Sequence, residues 1–346
     1  MSVPQLTPMM RQYQDIRREL PPNTLLLFRL GDFYEMFFDD AREASALLNV
    51  ALTKRGDTPM CGVPYHSARA YVAKLVEAGK RVAICDQVGE VTPGKLVRRE
   101  IARILSAGTL DDFGLEENRH NYLAAVCPDK KSSGLAWLDL STGEFRLAEI
   151  ETPAQLADQL ARLQPSELLI PDHLNPTPEL PLPPTPHDAF AFDLTQATDL
   201  LRDHFRVQSL DGFGCTTLPQ GTRAAGALLH YITRSLRRDA QHLAPPKPWH
   251  ATSYLLLDAV TQTNLELVES RNPEGTSLRG AIDRTLTPMG ARLLREWILH
   301  PLRDLAAITH RQDLVAAFHD DPTRLAAMRD ILRDIRDMER AVSRLS

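Results

Sequence analysis

Phe33 and Glu35 stand two residues apart in an apolar run, Leu25 to Phe37, that is rich in Leu, Phe and Tyr. On a β-strand, residues two apart face the same side. The spacing therefore presents an aromatic ring beside a carboxylate, with Tyr34, Met36 and Phe38 turned the other way, toward a core. An apolar wedge of this kind can enter the minor groove of a duplex, part a base step and kink it. Unstacking costs about a few kcal/mol per step and less where the bases are already mispaired, which is a physical source of discrimination. A carboxylate in that place is repelled by phosphates, so it must gain a specific hydrogen bond to a base. The cations placed to contact phosphates are Lys54, Arg55, Lys80, Lys95, Arg98 and Arg99. Many strands carry an aromatic and a glutamate two apart, so the pair takes its meaning from its surroundings.

The elements that must hold the pair are legible by pattern. Thr7-Pro8 reads as an N-cap followed by proline at the first helical position, opening a helix from Met9 to Leu20. Leu25 to Phe37 reads as one strand, and Asp39 and Asp40 as caps of a helix through about Leu48. Ser67 opens a helix to about Ala78, and Arg81 to Cys85 and Val97 to Leu105 read as strands. Strands interleaved with helices indicate an α/β or α+β domain. A second region starts near Asn121, with a hairpin of Leu135–Leu140 and Glu144–Ile150 turning at Ser141-Thr142-Gly143. A helix from Thr152 to Leu163, a buried strand from Glu167 to Ile170 and a helix from Ala224 to Leu236 complete it. Between them, Pro171 to Pro186 carries seven prolines and reads as an extended loop. Past the proline-rich boundary Ala244 to Pro248 the pattern turns helical, through Leu293, Leu294, Trp297 and Ile298, then Leu305 to Phe318 and Thr323 to Leu345.

Composition bounds the class. Of 346 residues, 43% are hydrophobic and 25% charged, the balance of a globular protein. No stretch approaches the ~20 apolar residues that a membrane span needs, and a cytoplasmic location is expected. The formal net charge of −5 argues against coating DNA by charge alone and puts any DNA contact on a local patch. Cys61, Cys85, Cys127 and Cys215 lack metal-site spacing and read as free thiols.

The blocks Gly31-Asp32-Phe33-Tyr34-Glu35, Lys54-Arg55-Gly56, Met60 to His66, Val82 to Val88 and Val97 to Glu100 follow one another in an order that resembles the mismatch-binding domain of the MutS family. Leu138 to Phe145 resembles the opening hairpin of that family's connector domain. Leu286 to Leu294 and Trp297 to Leu302 resemble the start of its helical core. The resemblance implies an α/β multidomain chain. Its parts are a mixed α/β mismatch-binding domain over 1–115, a ribonuclease-H-like α/β connector over 121–243 and the start of an all-α core (lever) domain over 250–346. It implies that Phe33 stacks on a mispaired base from the minor groove and that Glu35 hydrogen-bonds the same base. The implied partners are double-stranded DNA with mismatches or small loops, a MutL-like protein and, for the family, a second copy in a homodimer.

The family's ATPase loop, G-x-x-x-x-G-K-[ST], is absent from this sequence, and Gly94-Lys95 lacks both its spacing and its hydroxyl residue. No enzymatic activity and no cofactor are therefore expected of these residues; ATP and magnesium are implied only for the family's ATPase domain. A helical core without the rest of its helices is expected to expose apolar faces from about residue 250 onward. Two alternatives frame the DNA reading. One is an interaction module that binds a MutL-like partner through the connector without independent DNA binding. The other is a nuclease built on Asp139 and Glu144, which is disfavoured because a two-metal site needs a converging carboxylate cluster.

Overall fold

The computed structural model describes residues 7–89, 97–110, 115–174, 180–272 and 274–345. The chain divides into two compact units, Met1–Gly114 with Ile232–Asp239, and Leu115–Tyr231 with Ala240–Ser346.

In the first unit, helix α1 (Pro8–Arg18) starts where Thr7 accepts a bond from the Met10 amide. Strands β1 (Thr24–Leu30) and β2 (Phe33–Phe37) form an antiparallel hairpin. The single strand expected from Leu25 to Phe37 is thus two. Gly31 takes φ +58 in the two-residue turn Gly31-Asp32, a conformation that glycine adopts without a Cβ clash. Helix α2 (Phe38–Leu48), strands β3 (Thr53–Arg55) and β4 (Thr58–Pro64), helix α3 (Ala68–Glu77) and strands β5 (Arg81–Val88) and β6 (Arg98–Leu105) follow. The sheet order is β3-β4-β2-β1-β5-β6, with β1 and β5 parallel and the other neighbours antiparallel. Ile104 N–H donates to Leu236 O and Arg238 Nη1 to Thr109 O, tying segment 232–239 into this unit.

Asp40 was expected to cap α2, but the helix starts without a side-chain cap. Its carboxylate is buried instead. It accepts from Tyr13 Oη at 3.0 Å, from the Leu26 amide at 3.1 Å and from Arg17 Nε at 3.1 Å. It joins α1 to β1, because a buried carboxylate needs every lone pair met.

In the second unit a mixed sheet runs β11-β10-β7-β8-β9-β12. Its strands are β7 (Tyr122–Cys127), β8 (Ser133–Asp139), β9 (Glu144–Ile150), β10 (Glu167–Pro171), β11 (Thr185–His187) and β12 (Lys247–Pro248). The hairpin of β8 and β9 forms where the turn residues place it. Thr185–His187, expected as loop, pairs in parallel with β10. Helices α4 (Pro153–Leu163) and α6 (Pro219–His230) pack on the sheet, α5 (Leu194–Phe205) packs against α6, and a π-helical turn at Tyr231–Ser235 follows α6. Trp137, Leu135, Leu160, Leu168 and Trp249 lie in one buried cluster of this unit.

Glycine sets how closely α6 approaches. A Cβ on Gly134 of β8 would stand 1.9 Å from the Gln220 carbonyl oxygen, and one on Gly226 would stand 2.2 Å from Ala197 Cβ. The obstacle at Gly134 is backbone, which cannot rotate aside, so the helix must shift. Gly134→Ala is expected to cost about 1–3 kcal/mol, as overpacking does. Denaturant unfolding followed by tryptophan fluorescence reads this, since Trp137 and Trp249 are buried here. An unchanged midpoint would contradict the close seating.

The remaining helices are α7 (Ala259–Asn264), α8 (Leu278–Ile282), α9 (Pro288–Leu299), α10 (Leu305–His319), α11 (Pro322–Arg333) and α12 (Met338–Ser343). The single helix expected from Thr323 to Leu345 is broken, and Asp337 caps the second piece by accepting from the Arg340 amide. Arg292 of α9 is buried; its Nη1 and Nη2 donate to Asp337 at 2.6 and 2.8 Å, and Nη2 also to Glu339 at 2.6 Å. No described residue of α10 or α11 is buried, and Leu305, Val315 and Ile331 are exposed. Among the described residues no helix is long and apolar enough to cross a membrane.

Candidate nucleic-acid interface

The face of the first sheet that carries Phe33 and Glu35 is only part covered. Glu35 pairs with Phe28 across the hairpin, and Phe37 follows two residues on. Tyr13 of α1 packs edge-on against both rings, with centroids at 5.4 Å to Phe28 and 5.1 Å to Phe37. Beyond that cover, Phe33 is 47% exposed, while Tyr34 and Met36 on the opposite face are buried. The alternation read from the sequence holds at these four positions. It stops at Phe38, which takes φ +56 and begins α2 rather than extending the strand.

Glu35 has a partner. Arg55 Nη1 donates to Glu35 Oε2 at 3.0 Å, and the two side chains are 51% and 16% exposed respectively. Without DNA, the cation expected to meet a phosphate is paired with this carboxylate. On β4, Gly62 lies opposite Glu35 and Pro64 opposite Phe33. A Cβ on Gly62 would stand 3.5 Å from Glu35 Cγ and 4.0 Å from Phe33 Cδ1, so this glycine forms the floor between ring and carboxylate. Glycine inside a strand is a signal of close approach, yet the segment Gly62 to His66 reads from sequence as a structural turn.

The other cations divide. Lys54 is exposed on β3. Arg98 is exposed at the end of β6, where it pairs with Val88 and bridges to Glu100 at 2.5 Å. Lys80 stands apart from the pair. It contacts Glu43 at 2.5 Å and Asn23 Oδ1 at 2.6 Å. It precedes the end of β5 that pairs with Thr24, whereas Phe33 pairs with Leu30. At ~3.3 Å per residue that separates them by roughly 20 Å along the strand. Arg99 is a correction: it is buried, and its Nε donates to Arg29 O at 2.7 Å and its Nη1 to Gln12 and Val97 O. Its guanidinium lies 4.9 Å from the Phe28 ring centroid. Arg99 therefore braces the floor of the face and is not presented to a phosphate. Lys95 lies outside the described residues.

Behind the hairpin tip stands a support that the sequence reading missed. Arg29 Nε donates to Gly31 O at 2.5 Å, and its guanidinium lies 3.3 Å from the Tyr65 ring centroid. Tyr34 Oη donates to Asp86 Oδ1 at 2.8 Å, and the Tyr65 amide donates to Asp32 O at 2.8 Å. Burial, reinforced by Asp86, raises the Tyr34 phenol above its ordinary range, so it stays a donor. No sequence spacing marks this cluster, because its members come from β1, the Gly31-Asp32 turn, β2, the turn at Tyr65 and β5.

The second unit holds Asp139 and Glu144, the acids weighed for a nuclease. Asp139 is fully buried. Its Oδ1 accepts from the Ser141 amide at 2.9 Å and Ser141 Oγ at 2.6 Å, and its Oδ2 accepts from the Asn121 amide at 3.2 Å and pairs with His120 Nδ1 at 2.8 Å. Both oxygens are committed to the fold. Among the described residues no group of three or more His, Cys, Asp or Glu side chains is placed to hold a metal ion.

Three family models match the chain in series: MutS domain I over residues 7–114, MutS domain II over 121–244 and MutS domain III over 260–346. The chain belongs to the MutS family. The open face with Phe33 and Glu35 thus lies in MutS domain I, and the Asp139 network in the stretch matched by domain II. Among curated relatives, the DNA mismatch repair protein MutS of Syntrophobacter fumaroxidans and that of Myxococcus xanthus are each 42% identical over 358 residues, 99% of this chain. The protein of the same name from Synechococcus is 40% identical over 98% of this chain. The chain spans 40–43% of the length of these relatives.

Proposed function

We propose that this chain takes part in DNA mismatch repair by reading mispaired duplex, with Phe33 as a minor-groove wedge that stacks on the mispaired base and Glu35 as the group that hydrogen-bonds it. One observation carries the reading. A half-exposed aromatic ring stands on the uncovered half of a sheet face, beside a carboxylate and over a glycine floor. A ring so placed gains nothing for the fold by being exposed, and gains ~1–3 kcal/mol by stacking on a base. The names of the relatives, all mismatch repair proteins, support the same reading.

The roles divide by chemistry. Phe33 supplies stacking, which every base can accept. Glu35 supplies direction, since it must find a hydrogen-bond partner on the base or be left facing phosphates. Lys54 and Arg98, exposed cations of the same unit, supply backbone attraction, which positions the duplex without reading it. The reading gives these residues recognition and no hydrolysis. The intact chain is expected to bind a duplex with one G·T mispair at least about fivefold more tightly than its matched counterpart, the low end of a stacking gain. Fluorescence anisotropy at one fixed salt concentration reads the ratio. The interaction-module alternative expects a ratio of one.

A further inference from the structure

Arg55 is the cation nearest the reading carboxylate, and its geometry fits more than a backbone contact. Nη1 meets Glu35 Oε2 at 3.0 Å, and half of the arginine side chain remains in solvent. Guanidinium carries five donors in a planar fork that suits carboxylate and phosphate alike. Glu35 is largely covered, and the Gly62 floor beside it supplies no side chain that could hold the carboxylate. Its position before DNA arrives therefore rests on Arg55.

Resting on the reading of Phe33 and Glu35 given above, we infer that Arg55 is a positioning and specificity-determining residue: it holds and neutralises the Glu35 carboxylate in the free protein, and exchanges it for a backbone phosphate of the duplex when Glu35 turns to the mispaired base. The exchange conserves ion pairing, because one anion replaces another on the same fork. It also explains how a carboxylate can be kept at a surface meant for a polyanion. Without Arg55, Glu35 meets the groove beside a phosphate that no guanidinium neutralises. The deeply inserted, mismatched complex suffers more from this than the shallow matched one.

The test is a double-substitution cycle in the intact chain, read as the ratio of affinities for a G·T-mispaired and a matched duplex across a salt series. Arg55→Met is expected to lower that ratio about fivefold, a coupling of ordinary size for contacting residues. In the Glu35→Gln background, which has no charge to neutralise, Arg55→Met should leave the ratio unchanged. In both backgrounds the salt slope should become shallower by about one, the mark of one lost phosphate contact. Arg55→Gln, a milder change on this exposed strand, repeats the cycle and should show the same pattern. Equal effects on the ratio in the two backgrounds, or an unchanged salt slope, overturn the inference. Phe33→Ala separates the two levels. If it abolishes the ratio while Arg55→Met does not alter it, the Arg55 inference alone fails. If Phe33→Ala leaves the ratio intact, the underlying reading fails.

Discussion

Phe33→Ala is expected to remove most of the preference for mispaired over matched duplex while leaving matched binding nearly intact. The ring is 47% exposed and lies outside the buried core, so its truncation opens no cavity. Surface changes of that kind cost within about 0.5 kcal/mol of stability. Matched binding rests on phosphate contacts that Phe33 does not make. What disappears is the stacking gain of ~1–3 kcal/mol, or roughly five- to 150-fold in affinity, available only where a base step opens cheaply. Anisotropy titrations with both duplexes at one salt concentration decide it. Equal ratios before and after the substitution would mean that the ring is not the wedge.

The second large effect is expected in the other unit. Asp139→Asn should destabilise that unit by about 3–5 kcal/mol, the usual cost of breaking a buried charge pair. The carboxylate accepts from Ser141 twice, from Asn121 and from His120. A carboxamide would turn two N–H donors toward these donors. Ser141 Oγ in turn accepts from Arg340 Nε at 3.1 Å, so α12 is joined to the same network. The pH dependence follows from two opposed shifts. Burial alone pulls the His120 imidazole down, but its bond to Asp139 and the charges of Glu144 and Asp139 outweigh this and raise it above the ordinary histidine value. Burial alone pushes Asp139 up, but His120 and Ser141 outweigh it and hold it below the ordinary carboxylate value.

A raised histidine stabilises fully below its unfolded value near ~6.5 and loses that contribution as pH rises through its folded value. A lowered aspartate stabilises above its unfolded value near ~3.9 and loses that contribution as pH falls through its folded value. The gap between parent and Asp139→Asn should therefore be widest between about pH 4 and 6.5 and narrower in alkali. Guanidinium unfolding followed by tryptophan fluorescence at about pH 5.5 and 8.5 measures it. A gap that does not narrow in alkali would show that the His120–Asp139 charge pair is not its source. Full stability of the variant would remove the structural role from Asp139 altogether.

Local patterns carried much of the fold. Thr7 precedes a proline and caps the helix that follows, as its place in the sequence indicates; Thr152 and Thr287 make the same kind of cap in the structure. The hairpin of β8 and β9 was legible because Gly143 marks its turn. The hairpin of β1 and β2 was missed, although Gly31 stands in the same role, because apolar residues on both flanks read as one continuous strand. Asp40 shows the limit of position rules. An acid in the first turn of a helix looks like a cap, yet Tyr13, Arg17 and the Leu26 amide, distant in sequence, claim it. The candidate site divides the same way. Period-two alternation placed Phe33 and Glu35 together. Nothing local could show that Arg55 folds back onto Glu35, that Arg99 is buried over Phe28, or that Lys80 sits at the far end of the sheet. Those are matters of strand order and register, which basic residues in a sequence do not encode one by one.

The central claim is that Phe33 stacks on the mispaired base, and a fluorescent base reports this directly. 2-Aminopurine placed at the mispaired position emits according to how it is stacked. Binding of the intact chain is predicted to change its emission, with no comparable change in the matched duplex and none when Phe33→Ala binds at saturating concentration. An emission change of the same size with Phe33→Ala, or no change with the parent chain bound, would contradict the account.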